Sequence, residues 1–357
     1  MKEKPTVIDM FSGCGGLSRG FMDAGYEILF GIDHDKDSLE TFQINHGGAK
    51  GLLVDLFEKD SIDKIKEAVG KVRPDVIVGG PPCQGFSLTG TRNFDDKRNK
   101  LYLAMIDVVK ELKPKSFLIE NVPGLARMYD GAIKDEIKKR FTEMGYNVSM
   151  KILSSADYGV PQIRKRVVFI GVLKKYGEFS FPNPVLSPEK YVTTSQAISD
   201  LPDLNKDFGE EEARYTKNPA SEYQKKMRGS QKVLYNHVAT KHTDLVKSII
   251  AQVPEGGNHK DLPEGVGGNR KFNEAWTRYH SKKPSKTIDT GHRNHFHYKH
   301  NRIPTVRENA RLQSFPDNFI FTGTRTSQNR QVGNAVPPLM GYHLAKQLLK
   351  YINHDKK

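Results

Sequence analysis

Cysteine is almost missing from this chain: Cys14 and Cys83 are the only two in 357 residues. Two isolated thiols build neither a disulfide framework nor a Cys-x-x-Cys metal pair, which points to a reducing compartment. No stretch reaches the run of about 18 apolar residues that a membrane span requires. The amino-terminal Met-Lys-Glu-Lys-Pro leads into an apolar run too short for a secretory signal. A cytoplasmic protein without a membrane partner is therefore expected. Acidic residues are also in deficit, 42 Asp and Glu against 56 Lys and Arg, a formal net charge of +14. That excess suits a polyanionic partner, although it is silent about fold and is also compatible with a basic protein that merely stays soluble. Internal repeats and low-complexity tracts are lacking, and the length suffices for one large domain and a smaller one.

What is present first is an alternation of strands and helices. Thr6-Val7-Ile8-Asp9-Met10 reads as a strand, Phe11-Ser12-Gly13-Cys14-Gly15-Gly16 as a glycine-rich turn, and residues 18–24 as the helix behind it. Such a turn lets a ligand approach the backbone closely. Cys14 within it is expected to be a small packing residue. A second strand ends at Asp33, which is placed either to accept hydrogen bonds from ribose hydroxyls or to cap the next helix. A third ends at Asp55. The run Pro74-Asp75-Val76-Ile77-Val78 is a fourth, stopped by Gly79-Gly80-Pro81-Pro82, which holds Cys83 stiffly at its carboxyl end. A fifth, Ser116-Phe117-Leu118-Ile119, leads to Glu120. The polar residues of interest thus gather past the carboxyl ends of strands, the edge where open α/β sheets bind ligands.

Residues 87–99 have no apolar period and read as a loop able to close over a substrate. A helix is expected from Leu101 to Leu112, stopped by Pro114, and another carries Ile133, Ile137 and Phe141. Beyond Tyr146 the alternation breaks. Residues 148–153 and 166–172 read as an antiparallel pair, with Arg164 in the connection just before the second and Arg166 opening it. The stretch 291–300 mixes cations with aromatics in a manner suited to phosphate and base contacts. Its histidines lack carboxylate or cysteine partners at ligand spacing, so no metal is expected. Residues 308–317 are expected to form a short helix closed by proline, and residues 331–338 to open a final helix. The expected fold is α/β, a doubly wound, mostly parallel sheet with a second, smaller domain. Boundaries are placed at 1–178 and 179–325, with 326–357 returning to the first domain.

No nucleophile elbow and no zinc-protease motif accompanies Cys83. A carboxylic acid, Glu120, and an arginine pair do. A thiolate adding to C6 of cytosine needs an acid at N3, and the addition makes C5 nucleophilic enough to attack an activated methyl group. In that scheme Cys83 adds covalently. Glu120 holds N3 and the exocyclic amine and shares a proton with the ring. Arg166 holds O2, and Arg164 holds phosphate or the catalytic loop.

With those residues in view, the sequence resembles the C5-cytosine DNA methyltransferases of the bacterial restriction-modification type. The resemblance rests on Asp9-Met10-Phe11-Ser12-Gly13-Cys14-Gly15-Gly16, Gly80-Pro81-Pro82-Cys83-Gln84-Gly85-Phe86-Ser87 and Glu120-Asn121-Val122. It continues through Gln162-Ile163-Arg164-Lys165-Arg166, the block from Arg307 to Pro316, and Gly333-Asn334-Ala335-Val336-Pro337-Pro338. It implies a Rossmann-like methyltransferase domain with S-adenosylmethionine as methyl donor. Phe11, Ser12, Gly13, Gly15, Gly16, Asp33, His34, Asp55, Leu56, Pro82, Leu101 and Asn334 would lie around that donor. It implies double-stranded DNA as partner, a target-recognition domain between the arginine pair and the Arg307 block, and extrusion of the base from the duplex. Thr287-Ile288 resembles the family's Thr-Leu pair near the DNA backbone. Gln84, Ser87, Arg92, Arg98, Thr287 and Arg293 are the expected DNA contacts. A monomer is expected, with a cognate restriction endonuclease as a partner of the system. A transfer-RNA methyltransferase is the alternative, disfavoured because no cysteine follows Cys83. A nicotinamide-dependent oxidoreductase would leave Cys83, Glu120 and the arginine pair unexplained.

Overall fold

The computed structural model describes residues 3–82, 101–204, 207–266, 275–291 and 294–353. Cys83, Gln84, Ser87, Arg92, Arg98 and Arg293 lie outside the described residues, as does the segment 87–99 read as a closing loop. The chain forms two compact units. The first comprises Met1–Ser154, Lys165–Pro184 and Pro338–Lys357, the second Ser155–Arg164 and Val185–Pro337. Residues 155–164 and 326–337, expected with the first domain, group with the second.

The first unit is built on a seven-stranded sheet: β1 (Thr6–Met10), β2 (Glu27–Asp33), β3 (Lys50–Leu53), β4 (Val76–Gly79), β5 (Ser116–Asn121), β6 (Tyr146–Ser154) and β7 (Lys165–Leu173). Their spatial order is β3-β2-β1-β4-β5-β7-β6. The first five run parallel, and β7 lies antiparallel between β5 and β6. Helices α1 (Gly16–Asp23), α2 (Lys36–Asn45), α3 (Ser61–Val69), α4 (Leu101–Leu112) and α5 (Ala132–Glu143) supply the crossovers. The apolar stripes of α3, α4 and α5 (Ile65 and Val69, Met105 and Val109, Ile137 and Phe141) pack on Ile8, Ile77, Phe117 and Phe169 of the sheet. Phe117 stacks on Phe141 with ring centroids 3.7 Å apart. Burying each such side chain stabilises the fold by about 1.5–3 kcal/mol. The strand order reverses between β1 and β4, so a crevice is expected outside their carboxyl ends.

The second unit has little regular structure: α6 (Thr194–Ile198), the β-pair β8 (Glu212–Arg214) and β9 (Val233–Tyr235), α7 (Glu222–Arg228) and α8 (Asp244–Gln252), then β10 (Thr277–Arg278), β11 (His295–Phe296), α9 (Val306–Leu312) and α10 (Arg325–Asn334). Buried charges hold it. Arg311 meets Asp317 through two bonds of 2.5 and 2.6 Å and reaches Asp200 at 3.1 Å. Arg302 grips both oxygens of Glu308 at 2.7 Å. Burial alone would raise the Glu308 pKa, but the Arg302 guanidinium holds it far below the usual carboxylate range.

Two expectations for this region are corrected. The helix expected over 308–317 spans Val306–Leu312 and ends before Pro316, because Ser314 adopts a left-handed φ of 67°. Residues 331–334 do not open the final helix; they end α10, a helix without apolar period. Its start is capped by Thr324, whose hydroxyl accepts from the Ser327 N–H at 3.2 Å. Side-chain amides of Gln328 and Gln331 bond to backbone carbonyls around it. The last helix, α11 (Pro338–Ile352), belongs to the first unit and packs against α1. There the Tyr26 hydroxyl, just beyond α1, donates to the Ala345 carbonyl at 3.1 Å.

Candidate active site

The glycine turn after β1 is held from both sides. The Gly13 N–H donates to Asp33 Oδ2 at 2.8 Å, and the Ser12 N–H to the Ile32 carbonyl at 3.0 Å. Gly15 has a φ of 90°, and a Cβ there would lie 2.3 Å from the His46 ring; only glycine fits. His46 is buried, stacks on Phe42 at 4.3 Å, and its Nδ1 donates to the Phe42 carbonyl at 2.8 Å. Burial pushes its pKa down to about 4. Nothing in the sequence pattern marked His46 as the floor of this turn. Burial pushes the Cys14 thiol far up, which leaves it a packing group.

Asp33 is the last residue of β2. Its Oδ1 accepts from the N–H groups of His34 (2.8 Å) and Asp35 (3.0 Å), and His34 Nδ1 stands 3.2 Å away. Burial would raise its pKa, but these hydrogen bonds bring it below the ordinary value. The same contact raises that of His34. Asp35, not Asp33, caps α2, accepting from the Ser38 N–H at 2.9 Å. A carboxylate oxygen offers two lone pairs, so Oδ2 keeps an acceptor position beside its bond from Gly13. The Val54 N–H joins the Asp33 carbonyl at 3.0 Å, and Asp55 accepts from the Phe57 N–H at 2.9 Å. Leu56 and Leu101 are buried, Pro82 is half-buried, and Asn334 is exposed at the end of α10 in the second unit.

Asp9 lies beneath this turn and accepts a hydrogen bond from the Ser18 hydroxyl. Burial pushes its pKa up to about 7. The folded chain then keeps a proton that an unfolded carboxyl releases near pH 4. Stability attributable to Asp9 falls as the pH rises from about 4 to 7, in total by on the order of 4 kcal/mol. Asp9→Asn keeps an acceptor for Ser18 and should remove that slope. Urea unfolding of both proteins across this window tests it, and parallel pH profiles would refute it.

Glu120 lies inside β5, opposite Val168 of β7, rather than past the strand end. Arg166 Nε stands 2.9 Å from its Oε1, and both side chains are nearly enclosed. A Cβ placed on Gly80 would come within 3.2 Å of Glu120 Oε2, so the carboxyl sits at the carboxyl end of β4. Asn121, quoted above only as part of a motif, carries a positioning role there. Its Nδ2 donates to the Pro81 carbonyl at 2.9 Å and its Oδ1 accepts from the Val122 N–H at 2.8 Å. Pro81 is thereby fixed two positions ahead of Cys83. Arg164 is buried in the second unit, where its carbonyl accepts from the Ser155 N–H at 2.9 Å. Thr287 is exposed and donates its hydroxyl to the Ile163 carbonyl at 3.0 Å.

The expectation for residues 291–300 is corrected at His295, Phe296 and His297 alone; His292 and Arg293 lie outside the described residues, and Lys299 is exposed. His295 and His297 are core residues, not a nucleic-acid surface. His295 stacks on Tyr279 at 5.2 Å, and His297 Nδ1 accepts from the N–H groups of Lys299 and His300. Burial pushes the His297 pKa down to about 3, so it carries no charge for phosphate. Among the described residues no group of His, Cys, Asp and Glu is arranged to hold a metal, and no helix is long and apolar enough to cross a membrane.

Comparison with known families decides the class of this arrangement. The family model of C-5 cytosine-specific DNA methylases matches residues 5–350. The chain belongs to that family. As a member it is an enzyme, a cytosine-C5 DNA methylase, and its relatives span its length. Type II methyltransferase M1.HphI of Haemophilus parahaemolyticus is 40% identical, covering 97% of this chain and 87% of that protein. Type II methyltransferase M.DdeI of Desulfomicrobium norvegicum is 37% identical, with 98% and 89% covered. Among solved structures, a putative DNA modification methyltransferase encoded within an E. coli prophage superposes with a TM-score of 0.82 at 29% identity, covering 98% of this chain and 100% of that one. The S. pombe Dnmt2 methyltransferase, 19% identical with a TM-score of 0.66 and 98% and 100% covered, shares the fold.

Proposed function

We propose that this methylase transfers the methyl group of S-adenosylmethionine to C5 of a cytosine turned out of duplex DNA. Its place would be a type II restriction-modification system, acting as a monomer that protects DNA from a partner endonuclease. The observation that carries the reading is the Glu120 carboxyl, set against Arg166 beside Gly80 and Pro81, at the strand end that leads to Cys83. A thiolate from Cys83 adds to C6 while Glu120 shares its proton with N3 and Arg166 holds O2. Loss of the C5 proton and departure of the thiolate then restore the ring.

The donor supplies an electrophilic methyl group. The turn Phe11-Ser12-Gly13 with Gly15 and Gly16 suits it, since Asp33 Oδ2 keeps an acceptor for a ribose hydroxyl. His34, Asp55, Leu56, Pro82, Leu101 and Asn334 would complete its surroundings. The second unit is assigned to target recognition, with Arg164 on phosphate or the catalytic loop. Gln84, Ser87, Arg92, Arg98, Thr287 and Arg293 are assigned to DNA. Extrusion of the base costs a few kcal/mol, which phosphate contacts from a chain of net charge +14 help to offset.

Incubation of unmethylated genomic DNA with protein and donor, followed by base-by-base mapping of 5-methylcytosine, tests the proposal. Methylation at one short recurring sequence is expected. Absence of 5-methylcytosine, or its appearance only in transfer RNA assayed in parallel, overturns it.

A further inference from the structure

The side chains of Gln162 and Gln313 take no part in the chemistry above, yet both are wholly enclosed in the second unit. Gln162 Nε2 donates to Gln313 Oε1 and to the Leu312 carbonyl (3.3 Å), while its Oε1 accepts from the Ile288 N–H (3.3 Å). Gln313 Nε2 donates in turn to the carbonyls of Val332 (3.0 Å) and Ala335 (2.8 Å). Both amide nitrogens thus use their two hydrogens and both oxygens accept. The pair joins the stretch before Arg164, the stretch after Thr287, the end of α9, and the end of α10 that carries Asn334.

Neighbouring contacts tie the same segments. The Ile163 N–H donates to the Ser285 carbonyl at 2.9 Å, and the Thr287 hydroxyl donates to the Ile163 carbonyl. A Cβ on Gly333 would lie 2.6 Å from the Asp289 carbonyl oxygen, so the last turn of α10 rests directly on the residues that follow Ile288. A side chain present only to fill volume could be replaced by an apolar one of similar shape. A fully paired amide couple cannot, because each lost partner strands a buried donor or acceptor.

We infer that Gln162 and Gln313 are positioning residues that lock Arg164, Thr287 and Asn334 into one arrangement, so that donor binding and handling of the target cytosine depend on a single buried amide pair. The inference rests on the roles proposed for those three residues. Gln313→Met and Gln162→Met keep the volume and remove the amides. Each should weaken S-adenosylmethionine binding, read by calorimetry, about tenfold or more. Single-turnover methylation at saturating donor and DNA should fall by a similar factor. The double variant should be little worse than either single one, as expected of groups acting as a unit. Tyr223→Phe, which removes the buried bond from the Tyr223 hydroxyl to the Arg311 carbonyl at 2.5 Å, is the control and should change neither quantity.

Losses within twofold of wild type overturn the inference. So does loss of only one quantity, or equal losses in Tyr223→Phe. Should Gln313→Met fail to fold, Gln162→Met carries the test, since it removes the bonds to Leu312, Ile288 and Gln313 Oε1 and so unseats the Gln313 amide without deleting it. A wild-type protein that neither binds donor nor methylates DNA would sink the functional reading instead. Hydrogen exchange then judges the pair alone: amides of residue 288 and residues 333–335 should exchange faster in the methionine variants, and unchanged rates there refute the lock.

Discussion

Cys83→Ser should lose methyl transfer by at least about a thousandfold, roughly 4 kcal/mol of transition-state stabilisation. Affinity for S-adenosylmethionine should stay within about twofold, because the group removed acts on the cytosine and not on the donor. A serine hydroxyl offers almost no alkoxide at neutral pH, whereas a thiol already supplies some thiolate and is intrinsically more nucleophilic. A duplex with 5-fluorocytosine at the target position separates this from a folding defect. Fluorine cannot leave C5 as the proton does, so with donor present the wild-type protein should remain covalently attached through Cys83. The serine variant should bind the same DNA and leave no adduct. Transfer by Cys83→Ser within tenfold of wild type would remove the assigned nucleophile.

Glu120→Gln should lower the single-turnover rate by about 10²–10⁴, the range found for removal of a positioned general acid or base. The amide keeps the shape of the side chain in β5 and can still donate a hydrogen bond, but it has no acidic proton to give to N3, and it loses the ionic contact that Arg166 Nε makes at 2.9 Å. Adduct formation with the fluorinated duplex should slow by a comparable factor, since thiolate addition itself requires charge to be neutralised at N3. Donor binding should be unaffected, as the role proposed for Glu120 is exerted on the cytosine ring and not on the donor. An adduct formed at the wild-type rate would show that Glu120 has no part in the addition.

The parallel part of the sheet was legible because strands buried on both faces are nearly continuous apolar runs. Val7-Ile8 and Val76-Ile77-Val78 are such runs, and each ends in glycine or an acid at the edge that matters. Glu120 was read one step too far along. Its strand continues in register to Asn121 opposite Val167, a partnership with a neighbour 46 residues downstream that no local pattern announces. Helix α10 was missed for a related reason. Its residues are polar, and what holds them is a cap and side-chain amides bonded to distant carbonyls, not an apolar face.

Composition misled at His295 and His297, because a histidine-rich stretch looks alike whether it faces water or the interior. Here Glu308 and Arg302 form a charged pair inside the second unit, His297 packs beside them with its pKa pushed down by burial, and His295 stacks on Tyr279. Arg307 and Arg311 illustrate the same limit. Both are wholly enclosed, and only their carbonyl and carboxylate partners reveal that they serve the interior.

The helix α11 is encoded after the entire second unit, yet it forms one wall of the first: a Cβ on Gly20 of α1 would stand 2.5 Å from the Pro338 carbonyl oxygen. A growing polypeptide can therefore pair its early strands on the ribosome but cannot cover α1 until the second unit and then α11 have been made. Joining segments so far apart along the chain is slow. Synthesis as far as α11 thus becomes a condition for a completed first unit, and a fragment released before that point leaves the flank of α1 that meets α11 uncovered.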